Sequence, residues 1–356
     1  MNKMKSIIFI FPVLCAVFLS CSRDDVVNNP VVTTKGALVL YEGTFTERGD
    51  YAFIDLSSGM VSNNVFRNSN GGANLNMFPD GIRIHNSELF ITAQGTYGGQ
   101  GTIYKLNATT NQLISSANFG KNPYNFLINN GRIYVTNISG SFISVLDVNF
   151  GIIDDSIEVG PNPTNIIYTH SRYFVTKASY TTENSLAVYN EANGMVYKTF
   201  FPAPPVSAVS NIKGYFISGY TAKKLYRIDS TTLQIIDSTA IPTQYSAIGE
   251  LVFGGQNTIF AVGVNTEAFV DVGKEVYKVD LLTIPPTVTL LIPYQPGLTN
   301  NIYGAAYEEI NKEIYLADNN GGNQNGSVRV YDASNGIMKR SYSIGGKNPV
   351  SFAFKY

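Results

Sequence analysis

"GRIYVTNISGSFISVLDVNFGII", residues 131–153, holds two short runs of β-branched and aromatic residues, 133–136 and 143–148, around a small polar turn. Such runs, bounded by Gly, Asn and Ser, read as strands. The second run ends in Asp147, and that ending recurs. It closes "YAFID" at Asp55, "TIYKLN" at Asn107, "LAVYN" at Asn190, "LYRID" at Asp229, "VYKVD" at Asp280 and "VRVYD" at Asp332. The spacing runs from 39 to 52 residues. The first run recurs in step, at 38–40, 89–91, 133–135, 173–175, 215–217, 259–261 and 314–316. The quoted stretch is therefore one copy of seven.

Each copy has room for two further strands, such as "YNFLI" 124–128 before the pair and "DSIEVG" 155–160 after it. Four strands in a period of roughly 40–50 residues is the signature of a propeller blade. An Asp or Asn at the end of a strand bonds amides two residues on and sets the turn. The first unit, 36–66, begins with its second strand, and "NPVSFAFKY" at the C-terminus matches an unaccompanied first strand. The expectation is an all-β fold: a seven-bladed β-propeller of four-stranded antiparallel blades. The C-terminal strand closes the ring by joining the first blade, which removes an exposed edge.

The motif Tyr134-Val135-Thr136-Asn137 resembles the YVTN repeat of bacterial and archaeal surface propellers, and "YFVTKASYTTENSLAVYN" 173–190 is a looser version. The amino terminus carries Lys3 and Lys5, an apolar stretch from 7 to 19, then Ser20-Cys21. That is a secretory signal rather than a spanning helix. It resembles a bacterial lipoprotein signal, with Phe18 where such signals usually carry Leu. Residues 1–20 are expected to be the signal peptide, 21–35 a lipidated Cys21 and tether, and 36–356 the propeller. Asp24 and Asp25, close behind Cys21, resemble the signal that sends Bacteroidetes lipoproteins to the outer face of the outer membrane. Together these features are similar to Bacteroidetes surface lipoprotein propellers, one branch of which captures cobalamin for an outer-membrane transporter.

Composition narrows the function. Charged residues are 14% and the net charge is −1, so no basic excess exists to neutralise nucleic-acid phosphates. With both cysteines, Cys15 and Cys21, in the leader, the mature domain stands on packing alone. The longer connections are expected on one face, where second-to-third-strand loops and inter-blade segments lie. They are 42–50, 67–80, 94–101, 177–184, 262–274 and 318–326. Extra chain on one side favours binding. Phe45, Tyr97, Tyr180, Tyr220 and Phe269 fall on the longer loops. Asp80, Asn122, Asn162, Tyr245, Tyr303 and Asn348 fall near the starts of innermost strands. Tyrosine offers flat apolar area with a polar edge, and Asn both donates and accepts. For the three Asn-Pro steps, turn formation explains the Asn equally well.

His85 and His170 fall in turns on the opposite, short-loop face, out of reach of a channel-mouth site. Asp80 and Glu250 are the carboxylates that could face the channel. The expectation is a non-enzymatic protein without cofactor or metal. It would be lipid-anchored at the outer membrane, bind a large neutral polar ligand such as a corrinoid, and pass it to a TonB-dependent type of transporter. Two alternatives stand beside it: a protein-interaction or glycan-binding scaffold, and a metal-dependent lactonase or lyase.

Overall fold

The computed structural model describes residues 33–211, 214–267 and 270–356. Cys21, the leader and Phe269 lie outside them. The quoted stretch becomes the middle of a four-stranded antiparallel sheet made of Pro123–Asn129, Arg132–Asn137, Phe142–Asp147 and Ile152–Glu158. The first hairpin turns on Asn130 and Gly131, at φ 48° and 72°. A two-residue loop with both φ positive matches the twist of the strands it joins. The same turn is built by Asn86-Ser87 and by His170-Ser171, at φ 48°, 64°, 45° and 58°. These positions hold His170 in a tight turn, with its ring edge-on to Tyr215.

All seven strand-ending Asp and Asn residues do the same work. Asp147 Oδ1 accepts from Asn149 N at 2.7 Å and Gly151 N at 3.0 Å. Asp55, Asn107, Asn190, Asp229, Asp280 and Asp332 each bond an amide two residues on. The repeat seen in the sequence is therefore a repeat of turn chemistry.

The fold is all-β and propeller-like. Four-stranded sheets follow one another along the chain, beginning at Pro79, Pro123, Pro163 and Pro205. Two more four-strand groups, from Ala247 to Ile292 and from Ile302 to Ser343, are joined by a single pairing, Gly273 to Ile302. The remaining sheet draws on both ends of the chain: Pro349–Lys355 pairs with Gly36–Gly43, which pairs with Arg48–Asp55 and then Val61–Ser62. A short helix, Val65–Ser69, follows.

Seven hydrophobic clusters hold the described residues together, each filled from consecutive groups of strands. Phe90 and Ile103 meet Phe126, Ile133 and Val135. Ala37, Val39, Ala52 and Ile54 meet Tyr315, Ala317 and Val330. Second and third strands are covered on both faces, so they read as continuous apolar runs; outer strands such as Ile152–Glu158 are mostly exposed. A fully buried Phe in these seams contributes about 2–3 kcal/mol.

One loop expectation changes. The segment 262–274 is a hairpin extension: strands Thr258–Glu267 and Val270–Asp280 run well past their neighbours. Its alternating Val residues, at 262, 264, 270 and 272, favour continued pairing over an open loop. Among the described residues, no helix is long and apolar enough to cross a membrane.

Candidate functional site

The first strand of each group carries a pairing irregularity near its start. Register shifts fall between Pro79 and Gly81, Pro123 and Phe126, Pro163 and Ile166, Pro205 and Ser207. They recur between Ile248 and Leu251, between Ile302 and Gly304, and opposite Val350. A bulge frees a residue from the ladder and re-aims its side chain. The residues freed here include Asp80, Tyr124, Thr164, Val206, Glu250, Tyr303 and Val350. All seven line one cavity of about 910 Å³. Five of the seven strands open with proline, which has no N–H to lose where the ladder is broken.

The polar centre of this cavity is a carboxyl pair. Glu42 ends the buried strand Gly36–Gly43 and Asp80 stands on the next sheet; both are more than nine-tenths buried. The two carboxyls hydrogen-bond each other. Tyr303 donates to Glu42 Oε2 at 3.0 Å, and Gln94 Nε2 donates to Asp80 Oδ2 at 2.8 Å. No N–H or neutral hydroxyl reaches the buried Asp80 Oδ1. Burial pushes both carboxyls above their usual range; for Asp80 the charge on Glu42 adds to the effect and carries it well above. Two adjacent carboxylates in a dry site cannot both ionise, so they share a proton.

Other groups extend the site. Glu250 is open to the cavity, yet protein displaces bulk water around it and pushes its carboxyl up to about 8. Burial drops the Lys177 ammonium to about 8; its Nζ donates to the Val159 carbonyl. Tyr124 and Tyr303 are pushed well above the usual phenol range, first by burial and then by nearby carboxylates. They are hydrogen-bonding phenols, not phenolates.

The proposed ligand residues divide. Phe45, Asp80, Tyr97, Asn122, Tyr180 and Tyr303 line the cavity. Phe45, Tyr97 and Tyr180 form its open rim, at 83%, 91% and 65% exposure, and Phe45 packs edge-on to Phe78 at 5.0 Å. Asn122 is committed to backbone: it accepts from Gly98 N and donates to Gln94 O and Thr96 O. Asn162 donates to Ile138 O and Asn348 to Gly43 O, all three at φ near 50°. Tyr220 packs in the core with Ala247 and Val264, and Tyr245 lies against Tyr294. Glu42, Gln94 and Tyr124 escaped the sequence reading. Tyr124 had a usable signal, because it follows a strand-opening proline as Asp80 does. Among the described residues, no three His, Cys, Asp or Glu side chains converge as metal ligands.

The family described as Domain of unknown function (DUF5074) matches residues 35–354. The chain belongs to that family. No curated protein matches it by sequence. Similar solved structures share the fold at low identity. A quinoprotein alcohol dehydrogenase-like protein from Bacteroides thetaiotaomicron has a TM-score of 0.69 and 15% identity, over 90% of this chain and 78% of that one. A periplasmic gluconolactonase from Pseudomonas aeruginosa has 0.66 and 12%, over 90% and 99%. A Bacteroides uniformis protein named as a 6-phosphogluconolactonase has 0.65 and 12%, over 90% and 100%.

These neighbours correct the non-enzymatic expectation. Proteins named as lactonases, enzyme-type propellers, share this fold over most of the chain. A channel mouth without histidine can still hold an acid and a base, because two neighbouring buried carboxyls share one proton between them.

Proposed function

We propose that this chain is a hydrolase whose cavity takes an uncharged polyhydroxylated ring bearing a lactone or similar ester. The observation that carries the reading is the placing of two buried carboxyls, Glu42 and Asp80, in one cavity ringed by freed strand-start residues. Asp80 donates its proton toward the carbonyl oxygen. Glu42 takes a proton from water as the water oxygen bonds to the carbonyl carbon. The ring C–O bond breaks as Glu42 passes that proton to the departing oxygen, which leaves as a hydroxyl, and the new carboxyl returns a proton to Asp80. Tyr124, Tyr303 and Gln94 offer neutral hydrogen bonds to the ring. The names of the lactonase neighbours agree with this chemistry, while at 12% identity they share only the fold.

The same proposal includes seven four-stranded blades closed by the C-terminal strand. Its supports are the pairing of Pro349–Lys355 with Gly36–Gly43 and the cluster joining Ala37 and Val39 to Tyr315 and Ala317. The test is base consumption at constant pH with a panel of aldonolactones. Turnover above the spontaneous rate, lost at least 100-fold in both Glu42→Gln and Asp80→Asn, is expected. A rate equal to the buffer blank across the panel overturns the hydrolase reading.

A second reading is favoured by the aromatic rim, which offers more exposed flat area than a small ring needs. There the protein, lipid-anchored through Cys21 at the cell surface, holds a larger ligand such as a corrinoid or a glycan for a transporter of the TonB-dependent type. Calorimetric binding of cobalamin or an oligosaccharide, without turnover, supports it.

A further inference from the structure

Beside the main cavity, on the other side of the 44–47 turn, lies a second cavity of about 580 Å³ with a different character. Glu42 and Phe45 face the first; Thr46, Glu47 and Arg48 face the second. Its wall carries three cations, Arg48, Arg67 and Lys347, against one carboxylate, Glu47. Much of the remaining lining is Asn and glycine backbone, including Asn64, Asn74 and Gly72. We infer that this cavity binds a tetrahedral oxyanion, a phosphate or sulfate group.

The arginines carry the argument. Lys347 is already engaged, with Nζ 2.7 Å from Glu47 Oε1. Arg67 Nε is buried with no hydrogen-bond partner. The Arg67 charge acts on Asp50, but the Asp50 carboxylate spends its hydrogen bonds on the amides of Tyr51, Phe66 and Arg67. Arg48 is exposed beside the same cavity. A buried, unpaired guanidinium N–H is costly, and a planar fork of donors suits an oxyanion in a bidentate grip. Arg67 and the exposed Arg48 bring two guanidinium forks to one polar cavity. The backbone approaches closely beside the cavity: added Cβ atoms at Gly43 or Gly346 would fall 2.2 Å from Glu47 O or from the Tyr41 ring. These glycines let the walls close around the cavity. The site uses neither Glu42 nor Asp80, so it stands or falls independently of the hydrolase reading.

The test is isothermal titration calorimetry of the purified full-length protein with inorganic phosphate and with sulfate, at low ionic strength. One saturable site is expected, weakened at least fivefold by Arg48→Gln and abolished by Arg48→Gln with Arg67→Gln. Added chloride should weaken it in proportion to screening. Arg48 is exposed and outside the core, so its variant reports on the site even where the Arg67 substitution lowers stability. Absence of saturable heat with both anions overturns the inference. So does binding that Arg48→Gln leaves unchanged.

Discussion

Asp80 and Glu42 make a residue-scale claim that pH tests directly. Both carboxyls have folded pKa values above their ordinary 3.8 and 4.5. As pH rises past those values, the unfolded chain releases protons that the folded pair keeps. Stability then falls with rising pH, through the window between the ordinary and the raised values. Glu250, pushed up to about 8, adds a slope of the same sign between about 4.5 and about 8. Asn for Asp80 keeps an acceptor for Gln94 and a donor for Glu42. Asp80→Asn should therefore cost less than about 1 kcal/mol at pH 5. It should also flatten the decline with rising pH, so that its urea midpoint matches or exceeds the parent's at pH 8. Urea melts across pH 4–9 measure both; an unchanged slope would show that the pair does not hold its proton in the fold.

Elements explain what was legible in the sequence and what was not. The strand-ending Asp and Asn residues act within a few residues of their own position, so the repeat they mark could be read without coordinates. Asn122, Asn162 and Asn348 were half legible: their left-handed backbone is local turn chemistry, but each side chain bonds a carbonyl 24 or more residues away, which no local spacing reveals. The Glu42–Asp80 pair was not legible, because it forms between a strand's last turn and another sheet's first residues. Nothing in the spacing of 42 and 80 signals contact. The 262–274 hairpin was missed because a Gly- and Thr-containing stretch reads as loop until its partner strand is known. The joining of the chain ends is likewise an element-scale matter. Phe354, on the last strand, packs edge-on to Tyr315 at 5.0 Å and carries the C-terminus onto the preceding group of strands. Because the ring is only part-buried, removing it should cost about 2 kcal/mol, below the roughly 3–5 of a fully buried Phe. Phe354→Ala should thus lower the urea midpoint without altering any ligand contact, and a midpoint within error of the parent would mean that the last strand is not holding the ends.

At the scale of the whole molecule, two kinds of surface share one face, and they separate the two functional readings. The freed strand-start residues converge on a buried polar floor, while the largely exposed Phe45, Tyr97 and Tyr180 stand above it. Burial first, and then the neighbouring Tyr97, raises the Tyr180 phenol. Exposed aromatics of this size are retained at a cost in solubility, and a ligand that covers them recovers apolar burial. A small lactone sitting on the floor would leave the rim uncovered; a macrocycle or glycan would span it. Replacing Tyr97 and Tyr180 together by Ala touches no core packing, so the melting temperature should stay within about 2 °C of the parent, as is usual for surface changes. If the cargo is large, calorimetric affinity for it should drop at least tenfold, which corresponds to about 1.4 kcal/mol. If the substrate is a small ring, kcat/KM for it should change less than twofold while Asp80→Asn abolishes turnover. Measured on the same three proteins, those two outcomes exclude each other, because the rim and the floor cannot both be where the free energy of recognition resides.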